Sequence, residues 1–299
     1  MEPVEMFRSA LFIIGGSRSG SQLLRHVLNA STSYAVLGEA GITKPAYRNR
    51  SVLESARSTL RSKHAVKTTE VRSWLGGDIA AAWEDERLCE EVAADVAIRM
   101  RAGVSAERAS ATVLDSAMRI HAEQARKPLR GAKFPLFVGD SRLLVEYFPG
   151  SQYLHCVRDP RAAFYSQVRK HVALGRMRGW MPLVWLANAA HFKFAYRGQV
   201  KADRLLVAVA GVDYMRVRYE DLLRDPPVVL GDIFRLIGED GPVPESVAFS
   251  NSFVDSRADG GSDFDPSRVD RWRSALGPFQ KWLLTLVFRR ELRHFGYAS

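Results

Sequence analysis

The chain has 299 residues, 46% of them apolar and 25% charged, and its 43 Lys and Arg exceed its 33 Asp and Glu by a net charge of +10. The apolar content is that of an ordinary globular protein and excludes long disorder or a collagen-like chain. The positive charge indicates a polyanionic partner, and a charged small molecule is favoured over nucleic acid because the basic residues are scattered and no nucleic-acid-binding signature is present.

The first predicted elements are a buried strand over residues 10–14 and an amphipathic helix over residues 21–29. A loop that stops a strand at Gly15 and starts a helix at Ser21 directs backbone N–H groups and the helix dipole at one point, as phosphate-binding loops do. The P-loop pattern requires Lys-Ser or Lys-Thr after Gly20, and this chain lacks that lysine. On the loop alone, an anion site and a plain Gly-Ser turn are equally supported.

The next long segment, residues 51–127, is rich in Ala, Arg and Glu and has helical periodicity, as in Val92, Val96 and Met100. A further helix is predicted to start near residue 105. We interpret the segment as a helical insertion that covers the site.

A second strand–loop–helix unit stands at the middle of the chain, where a helix over 141–147 precedes a strand over 152–157 and a helix from about residue 161. The strands of the two units are expected to be parallel neighbours. Further predictions are a helix over 180–200, a strand over 214–219, a helix over 228–237, a loop over 257–267 and a helix over about 278–295.

Arg158 ends the second strand, and Ser166 follows about two helical turns later on a nearby face. The two side chains suit a second phosphate. The alternative is an arginine paired with Asp159 or Asp140 beside an incidental serine. Ligands of open α/β sheets bind where strands end and helices begin, and this favours the anion site.

Four ordered stretches resemble the sulfotransferase family. FIIGGSRSGSQLL, residues 12–24, is similar to its 5′-phosphosulfate loop, and YLHCVRDPRAAFYSQ, residues 153–167, to its 3′-phosphate motif. VRYEDLLRDP, residues 217–226, and RWRSAL, residues 271–276, resemble two later landmarks. Because four motifs occur in order along almost the whole chain, the likeness is specific, and it is nearest to the branch of tyrosylprotein sulfotransferases and bacterial enzymes.

The resemblance implies an α/β, P-loop-like three-layer fold with a central parallel sheet flanked by helices, in a single domain over residues 1–299. It implies transfer of a sulfuryl group from 3′-phosphoadenosine 5′-phosphosulfate (PAPS) to an acceptor hydroxyl or amine by in-line displacement, without a required metal. The implied cofactor-binding residues are Arg18, Ser19, Gly20, Ser21, Gln22, Arg158, Ser166, Tyr219 and Arg271. Tyr219 is equally well explained as a core residue at a strand end.

The implied catalytic residues are Glu39, Arg18 and Lys133. The family has a Gly-Glu pair after the first helix and a Lys-x-Pro before the second unit, and Gly38-Glu39 and Lys133-Phe134-Pro135 stand at these places. Glu39 is expected to accept the acceptor's proton, while Arg18 and Lys133 stabilise charge on the leaving nucleotide. Outside the motif context, Glu39 and Lys133 are ordinary surface charges.

The chain departs from the family pattern at Ser17, where proline is usual, and at Ser21-Gln22, where the family has Thr-Thr. The amide of Gln22 can still donate to a phosphate oxygen. No serine in the predicted loop can be matched securely, and Ser256 and Ser262 are both candidates to approach the cofactor.

Several other side chains receive structural interpretations. Cys89 and Cys156 lack disulfide or metal-site spacing and are predicted to be buried thiols. His155 is predicted to be a packed histidine. Four aromatic residues suit either an acceptor pocket or, at helical spacing, the core: Trp180, Trp185, Phe192 and Phe194.

The acceptor class stays open among small molecules, sugars, lipids and peptides. The N-terminus lacks the positive charge of a secretory signal and residues 11–14 are too short to span a membrane, so a cytoplasmic protein without a transmembrane segment is expected. The alternatives for function are a P-loop kinase that uses Mg²⁺ and ATP, and a nucleotide-binding relative without catalytic activity.

Overall fold

Five parallel strands form one sheet in the computed structural model, which describes residues 7–39, 86–102, 109–134, 141–173, 181–209, 211–244 and 264–298. The strands are β1 (Leu11–Gly15), β2 (Tyr34–Glu39), β3 (Leu129–Phe134), β4 (Gln152–Val157) and β5 (Asp213–Arg218), in the spatial order β2-β3-β1-β4-β5. All four pairings between neighbouring strands are parallel. β1 lies at the centre, and each of its five residues is buried.

Eleven helices accompany the sheet in the described ranges. They are α1 (Ser21–Ser31), α2 (Glu86–Arg101), α3 (Ala109–Gln124), α4 (Ser141–Tyr147), α5 (Pro160–Ala173), α6 (Met181–Ala208), α7 (Tyr219–Arg224), α8 (Pro226–Ile237), α9 (Ser267–Ala275), α10 (Pro278–Val287) and α11 (Arg289–His294). Within the described part of the chain, no helix is long and apolar enough to cross a membrane.

Helices cover both faces of the sheet, as an all-parallel sheet with two apolar faces requires. Leu11 and Ile13 of β1 point to the face that packs against α1 and α8. Phe12 and Ile14 point to the other face, which packs against α2, α3 and part of α6. The result is a three-layer α/β fold, which confirms the predicted class.

The strand order positions the site between β1 and β4. The two strands are hydrogen-bonded neighbours, with Gly15 opposite Cys156 at their carboxyl ends. α1 packs on one face of the sheet, whereas α5, through Phe164, packs with α6 on the other. The loops after β1 and β4 therefore flank the crevice where the chain direction switches, which is where open α/β sheets bind ligands.

The predictions for the two strand–loop–helix units are confirmed, with β1 and β4 as parallel neighbours. Other boundaries differ. The predicted last helix is divided at Phe288, α6 continues to Ala208, and β5 ends at Arg218 so that Tyr219 begins α7. β2, β3 and α9 were not predicted from the sequence.

The described part of the predicted insertion consists of α2 and α3. α3 buries Leu114 and Met118 in the core beside the sheet, so these helices form part of a layer of the fold. Residues 51–85 of the predicted insertion, and most of the predicted loop over 257–267, lie outside the described residues.

Candidate functional site

The loop after β1 has a backbone that is left-handed at two positions, Arg18 with φ 66° and Gly20 with φ 91°. A left-handed arginine is uncommon, and such outliers cluster where a loop has a functional shape. Gly20 is required for a second reason, because a Cβ atom there would lie 2.4 Å from Cδ2 of Tyr219. The loop thus packs directly on the tyrosine ring before α1 begins at Ser21.

Arg18 joins this loop to the helix after β4. Its Nε donates a hydrogen bond of 3.0 Å to Oγ of Ser166, in the middle of α5. Nη1 of Arg158 in turn donates to the backbone oxygen of Arg18 at 3.1 Å. The two segments predicted as separate anion sites therefore touch each other.

Arg158 is held over the loop by stacking as well as hydrogen bonding. Its guanidinium carbon lies 4.1 Å from the centroid of the Tyr219 ring, a cation–π contact. The side chain of Asp159 is bound by Arg161 instead, with hydrogen bonds of 2.8–3.3 Å. The alternative in which Asp159 neutralises Arg158 is therefore wrong for this structure, and Asp140 lies outside the described residues.

A cleft opens beside these contacts, and its described lining contains five arginines and no acidic residue. The lining residues are Arg18, Arg158, Ala162, Tyr165, Ser166, Arg169, Tyr219, Arg268, Arg271 and Trp272. Asp265, outside the lining, accepts a hydrogen bond of 2.9 Å from Arg271. Asp265 also forms an ion pair of 3.4 Å with Arg268, so it offsets part of the charge of two of the five guanidinium groups. The lining itself is positive, which suits a multiply charged anion.

Several buried donors near the cleft have no hydrogen-bond partner in the described structure. They include Nε of Arg158, Nε of Arg268, and the hydroxyl of Ser19, in a residue that is 1% exposed. Buried polar groups are normally satisfied, so unsatisfied donors gathered at one site need an explanation. All three are of the type that an anionic ligand satisfies.

Lys133 occupies the neighbouring strand and reaches the start of α1. Only 2% of the residue is exposed, and its Nζ donates to Oε1 of Gln22 at 2.8 Å. Nε2 of Gln22 lies 3.0 Å from Nε2 of His26, which must be unprotonated to accept from the amide. Burial, with the charges of Arg25 and Lys133, lowers the pKa of His26 to about 4.

Glu39 comes next to Lys133 by strand pairing. The two residues are partners on the parallel strands β2 and β3, after a register shift between Leu37 and Glu39. The side chain of Glu39 is outside the described structure. The backbone register alone places the predicted base beside the predicted cation.

Most predicted site residues are brought together by the fold. Arg18, Arg158, Ser166, Tyr219 and Arg271 line one cleft. Ser19, Gly20, Ser21 and Gln22 belong to the loop and first helical turn that border it. Lys133 is outside the cleft lining and connects to the loop region through Gln22. Ser256 and Ser262 lie outside the described residues.

Sequence reasoning missed Arg169 and Arg268. Arg169 is one helical turn beyond Ser166 on α5, and Arg268 is one turn before Arg271 on α9, so both share a face with a predicted residue. A spacing of three residues from Ser166 and from Arg271 could have indicated them. For Arg268 this signal could not be used, because α9 was not predicted to be a helix.

The remaining predictions concern packing. His155 is fully buried and Cys156 is 2% exposed, which confirms the predictions of a packed histidine and a buried thiol. The side chain of Cys89 is outside the described structure. Phe192 is buried and Trp185 packs on Phe164 with ring centroids 5.0 Å apart, as core residues do. Phe194 is 72% exposed, so its prediction as core is wrong. Trp180 lies outside the described residues.

Comparison with known proteins agrees with this geometry. The family model described as "Sulfotransferase family" matches residues 10–242. The sulfotransferase domain of the Synechococcus PCC 7002 olefin synthase is 22% identical, with a TM-score of 0.54 over 100% of this chain and 98% of that one. The sulfotransferase domain from the curacin biosynthetic pathway is 17% identical, with a TM-score of 0.52 over 97% and 98%.

None of the curated proteins matches the chain in sequence. At identities this low, the two solved structures establish the fold and leave the substrates open. The family match covers well over half of the chain and includes the loop after β1, the motif after β4 and the start of α7. The chain belongs to the sulfotransferase family.

Proposed function

We propose that the chain transfers a sulfuryl group from PAPS to a hydroxyl or amine of its acceptor. The observation that carries the proposal is the hydrogen bond between Arg18 and Ser166 inside one arginine-lined cleft. PAPS is anionic at both its 5′ and 3′ ends, so its binding needs two anion-binding segments side by side. The loop after β1 and the motif after β4 meet this need.

The loop after β1 is assigned to the 5′-phosphosulfate. Its backbone N–H groups and the first turn of α1 offer donors and the positive end of a helix dipole. Ser19 and Ser21 add hydroxyl groups, and Arg18 adds a guanidinium group. The unpartnered hydroxyl of Ser19 supports this fit.

The segment after β4 is assigned to the 3′-phosphate. Arg158 and Ser166 line the cleft, with Arg271 on its α9 side and the Tyr219 ring beneath the guanidinium of Arg158. The free Nε of Arg158 supports this assignment, because a phosphate oxygen would satisfy it. Arg169 and Arg268 lie within reach of the same anion and are included in the site.

The positions of the charged side chains suggest a role for each in sulfuryl transfer. PAPS, when bound, supplies the sulfuryl group and a phosphate leaving group. Glu39 takes the proton of the attacking hydroxyl or amine, and Arg18 and Lys133 stabilise negative charge on the leaving side. Lys133 is buried against Gln22, so its ammonium is held in place near the start of α1.

The residues also explain why a Mg²⁺ clamp is dispensable in this proposal. In nucleotide kinases a P-loop lysine and a metal neutralise the phosphates. Here arginines, backbone N–H groups and Lys133 provide the positive charge. Gly20 is followed by Ser21 and Gln22, and the chain belongs to the sulfotransferase family, so a P-loop kinase is not favoured.

The acceptor is a small molecule, sugar, lipid or peptide with a free hydroxyl or amine. A non-catalytic relative would use the same cleft for the nucleotide alone. Glu39 and Lys133, paired across β2 and β3, support the catalytic form, because nucleotide binding by itself does not need them.

Calorimetry with two nucleotides tests the two-ended site. 3′-Phosphoadenosine 5′-phosphate (PAP) and 5′-AMP differ in the 3′-phosphate, so PAP is expected to bind about a hundredfold more tightly. Arg158→Ala should bring PAP close to the affinity of 5′-AMP while leaving 5′-AMP itself little changed. Arg273→Ala, which removes an exposed arginine on the same α9 but outside the cleft lining, is the control. Equal affinities for PAP and 5′-AMP in the unmodified protein would contradict the assignment.

A further inference from the structure

Helix α10 exposes an apolar face to solvent in addition to the face that it buries. Phe279 is 69% exposed, Trp282 60% and Leu286 54%. Their spacing of three and four residues places them along one side of the helix. Single exposed apolar residues need no explanation, but three large ones aligned on one helix form an exposed apolar face that needs one.

The opposite side of α10 packs against the core. Leu284 and, just beyond the helix, Phe288 are fully buried in the cluster that also contains Phe164 and Tyr196. The exposed face is therefore not required to hold the helix in place. Phe279 and Trp282 contact each other, with ring centroids 5.8 Å apart, and present a continuous aromatic surface.

The helix is anchored, so the exposed face has a fixed direction. Nη1 of Arg161 on α5 donates to Oγ1 of Thr285 at 3.1 Å. At the N-terminal end, the backbone N–H of Gly277 donates to Oε1 of Gln280 at 3.0 Å, which caps the first turn. A rigid amphipathic helix loses little entropy when its face is covered.

The adjoining helix α11 carries positive charge without local neutralisation. Arg289, Arg290 and Arg293 are exposed, and none of them forms an ion pair with a described residue. The one acidic residue of α11, Glu291, is buried and paired with Lys193 on α6. The exposed apolar side chains of α10 are thus followed directly in the chain by the unpaired arginines of α11, and we call the two groups together the α10–α11 surface (Phe279, Trp282, Leu286, Arg289, Arg290 and Arg293).

We propose that the α10–α11 surface docks the protein on an anionic phospholipid membrane. Trp and Phe favour the boundary between lipid headgroups and acyl chains, where an amphipathic helix lies in the plane of the interface. Exposed arginines are attracted to anionic headgroups, and the net charge of +10 adds to this attraction. A second copy of this chain is a poor occupant, because it would bring the same three arginines into mutual repulsion.

The docking inference does not depend on the sulfotransferase activity, and its test does not use turnover. Vesicles of phosphatidylcholine alone and of phosphatidylcholine with 30% phosphatidylglycerol are sedimented with the protein at about 0.1 M salt. Binding is expected to the anionic vesicles, and higher salt should weaken it because the Debye length shortens. Brominated phospholipid should quench tryptophan fluorescence of the unmodified protein if Trp282 enters the bilayer.

Variants separate the apolar and the charged contributions. Phe279→Ser with Trp282→Ser should lower vesicle affinity at least tenfold, and Arg289→Gln with Arg290→Gln should lower it about fivefold for each arginine removed. Val228→Ser, which removes a residue 58% exposed on α8, is the control and should change affinity less than twofold. PAP affinity is measured on every variant, and an unchanged affinity verifies that the fold is intact. If neither the unmodified protein nor any variant binds PAP, the nucleotide site has failed, and the vesicle measurements still test docking separately.

Three results would overturn the proposal. They are absence of binding to anionic vesicles, vesicle binding unaffected by the paired Phe279 and Trp282 substitutions, and a concentration-dependent dimer in sedimentation velocity that those substitutions abolish without any vesicle binding.

Discussion

Nε of Arg18 and Oγ of Ser166, 148 residues apart in sequence, share a hydrogen bond of 3.0 Å that joins the loop after β1 to the helix after β4. The contact fixes the side chain of an arginine whose backbone is already in a left-handed conformation. A charge-assisted hydrogen bond of this kind contributes more than a neutral one. The relationship between these two residues is therefore the part of the site most open to direct tests.

Ser166→Ala is expected to raise the dissociation constant for PAP about tenfold. The variant removes both a hydroxyl that lines the cleft and the acceptor that orients Arg18, which corresponds to the loss of ~1–2 kcal/mol. Isothermal titration calorimetry measures the effect. Ser17→Ala is the matched control, because Ser17 also bridges the loop to α5, through Gln167 at 3.1 Å, without involving an arginine. An equal loss of affinity in both variants would indicate a general loosening of the loop.

Gly20→Ala is expected to destabilise the protein by about 2 kcal/mol or more. The new methyl group would meet the Tyr219 ring at 2.4 Å, and a φ of 91° is strained for any residue with a Cβ atom. Urea unfolding of the apo protein measures the change. Combining it with Tyr219→Ala should relieve the collision but leave the backbone penalty.

Gly198→Ala provides the control for this substitution. Gly198 lies in the middle of α6, and a Cβ there would meet nothing within 4 Å. Alanine should stabilise the protein by roughly 0.5–1 kcal/mol, because glycine is the poorer helix former. Destabilisation by Gly198→Ala, or none by Gly20→Ala, would contradict this description of the loop.

His26 predicts a specific dependence of stability on pH. Its pKa is about 4 in the folded protein against 6.5 ordinarily, so between these values the unfolded chain binds more protons than the folded one. The contribution of His26 to stability is therefore complete above pH 6.5 and is lost as the pH falls toward 4. Because the residue is partly exposed, solvent screening reduces the expected contribution to about 1 kcal/mol.

His26→Gln should remove this part of the pH dependence. Urea unfolding at pH 7.5 and pH 4.5 gives the loss of stability on acidification for each protein. The variant is expected to lose about 1 kcal/mol less than the unmodified chain. The same loss in both proteins would show that His26 titrates in the folded state with the same pKa as in the unfolded chain.

Lys133→Met should lower turnover by about 10²-fold or more while PAP affinity changes only a few-fold. Methionine preserves the length and apolar character of the buried stem but removes the charge assigned to the leaving group. The variant should also raise the pKa of His26 toward 6.5, since Lys133 is one of the causes of its depression. An NMR titration of His26 reports the loss of the ammonium independently of activity. Normal turnover together with a raised His26 pKa would remove Lys133 from the catalytic set.

The sequence predicted the centre of the fold well because β1 and β4 carry strong local signals. Each is a largely apolar, buried run that closes at Gly15 or just before Arg158, and a helix follows, so strand, loop and helix were visible together. β2 and β3 were missed since Gly38, Arg130, Gly131 and Lys133 interrupt their apolar pattern. Pairing of β3 with β1 and of β2 with β3, both tertiary contacts, determines that these residues are extended.

The site, like the fold, was predicted where local sequence signals are strong and missed where tertiary contacts decide. Arg18, Arg158 and Ser166 were found from strand ends and spacing, and their meeting follows from the adjacency of β1 and β4. The contact of Tyr219 with both Gly20 and Arg158 depends on how α7 turns back after β5, which no local pattern records. The exposed face of α10 was equally hidden, because helical spacing of apolar residues does not distinguish a face that packs on the core from one that meets solvent.

The most direct test of the central claim is transfer of ³⁵S from labelled PAPS to components of an extract from the source of the protein. The account predicts a labelled product that requires the unmodified chain and no added metal. Glu39→Gln should reduce its formation by about 10²- to 10⁴-fold while PAP affinity is kept. PAP binding without any labelled product, or Mg²⁺-dependent transfer of phosphate from ATP instead, would contradict the claim.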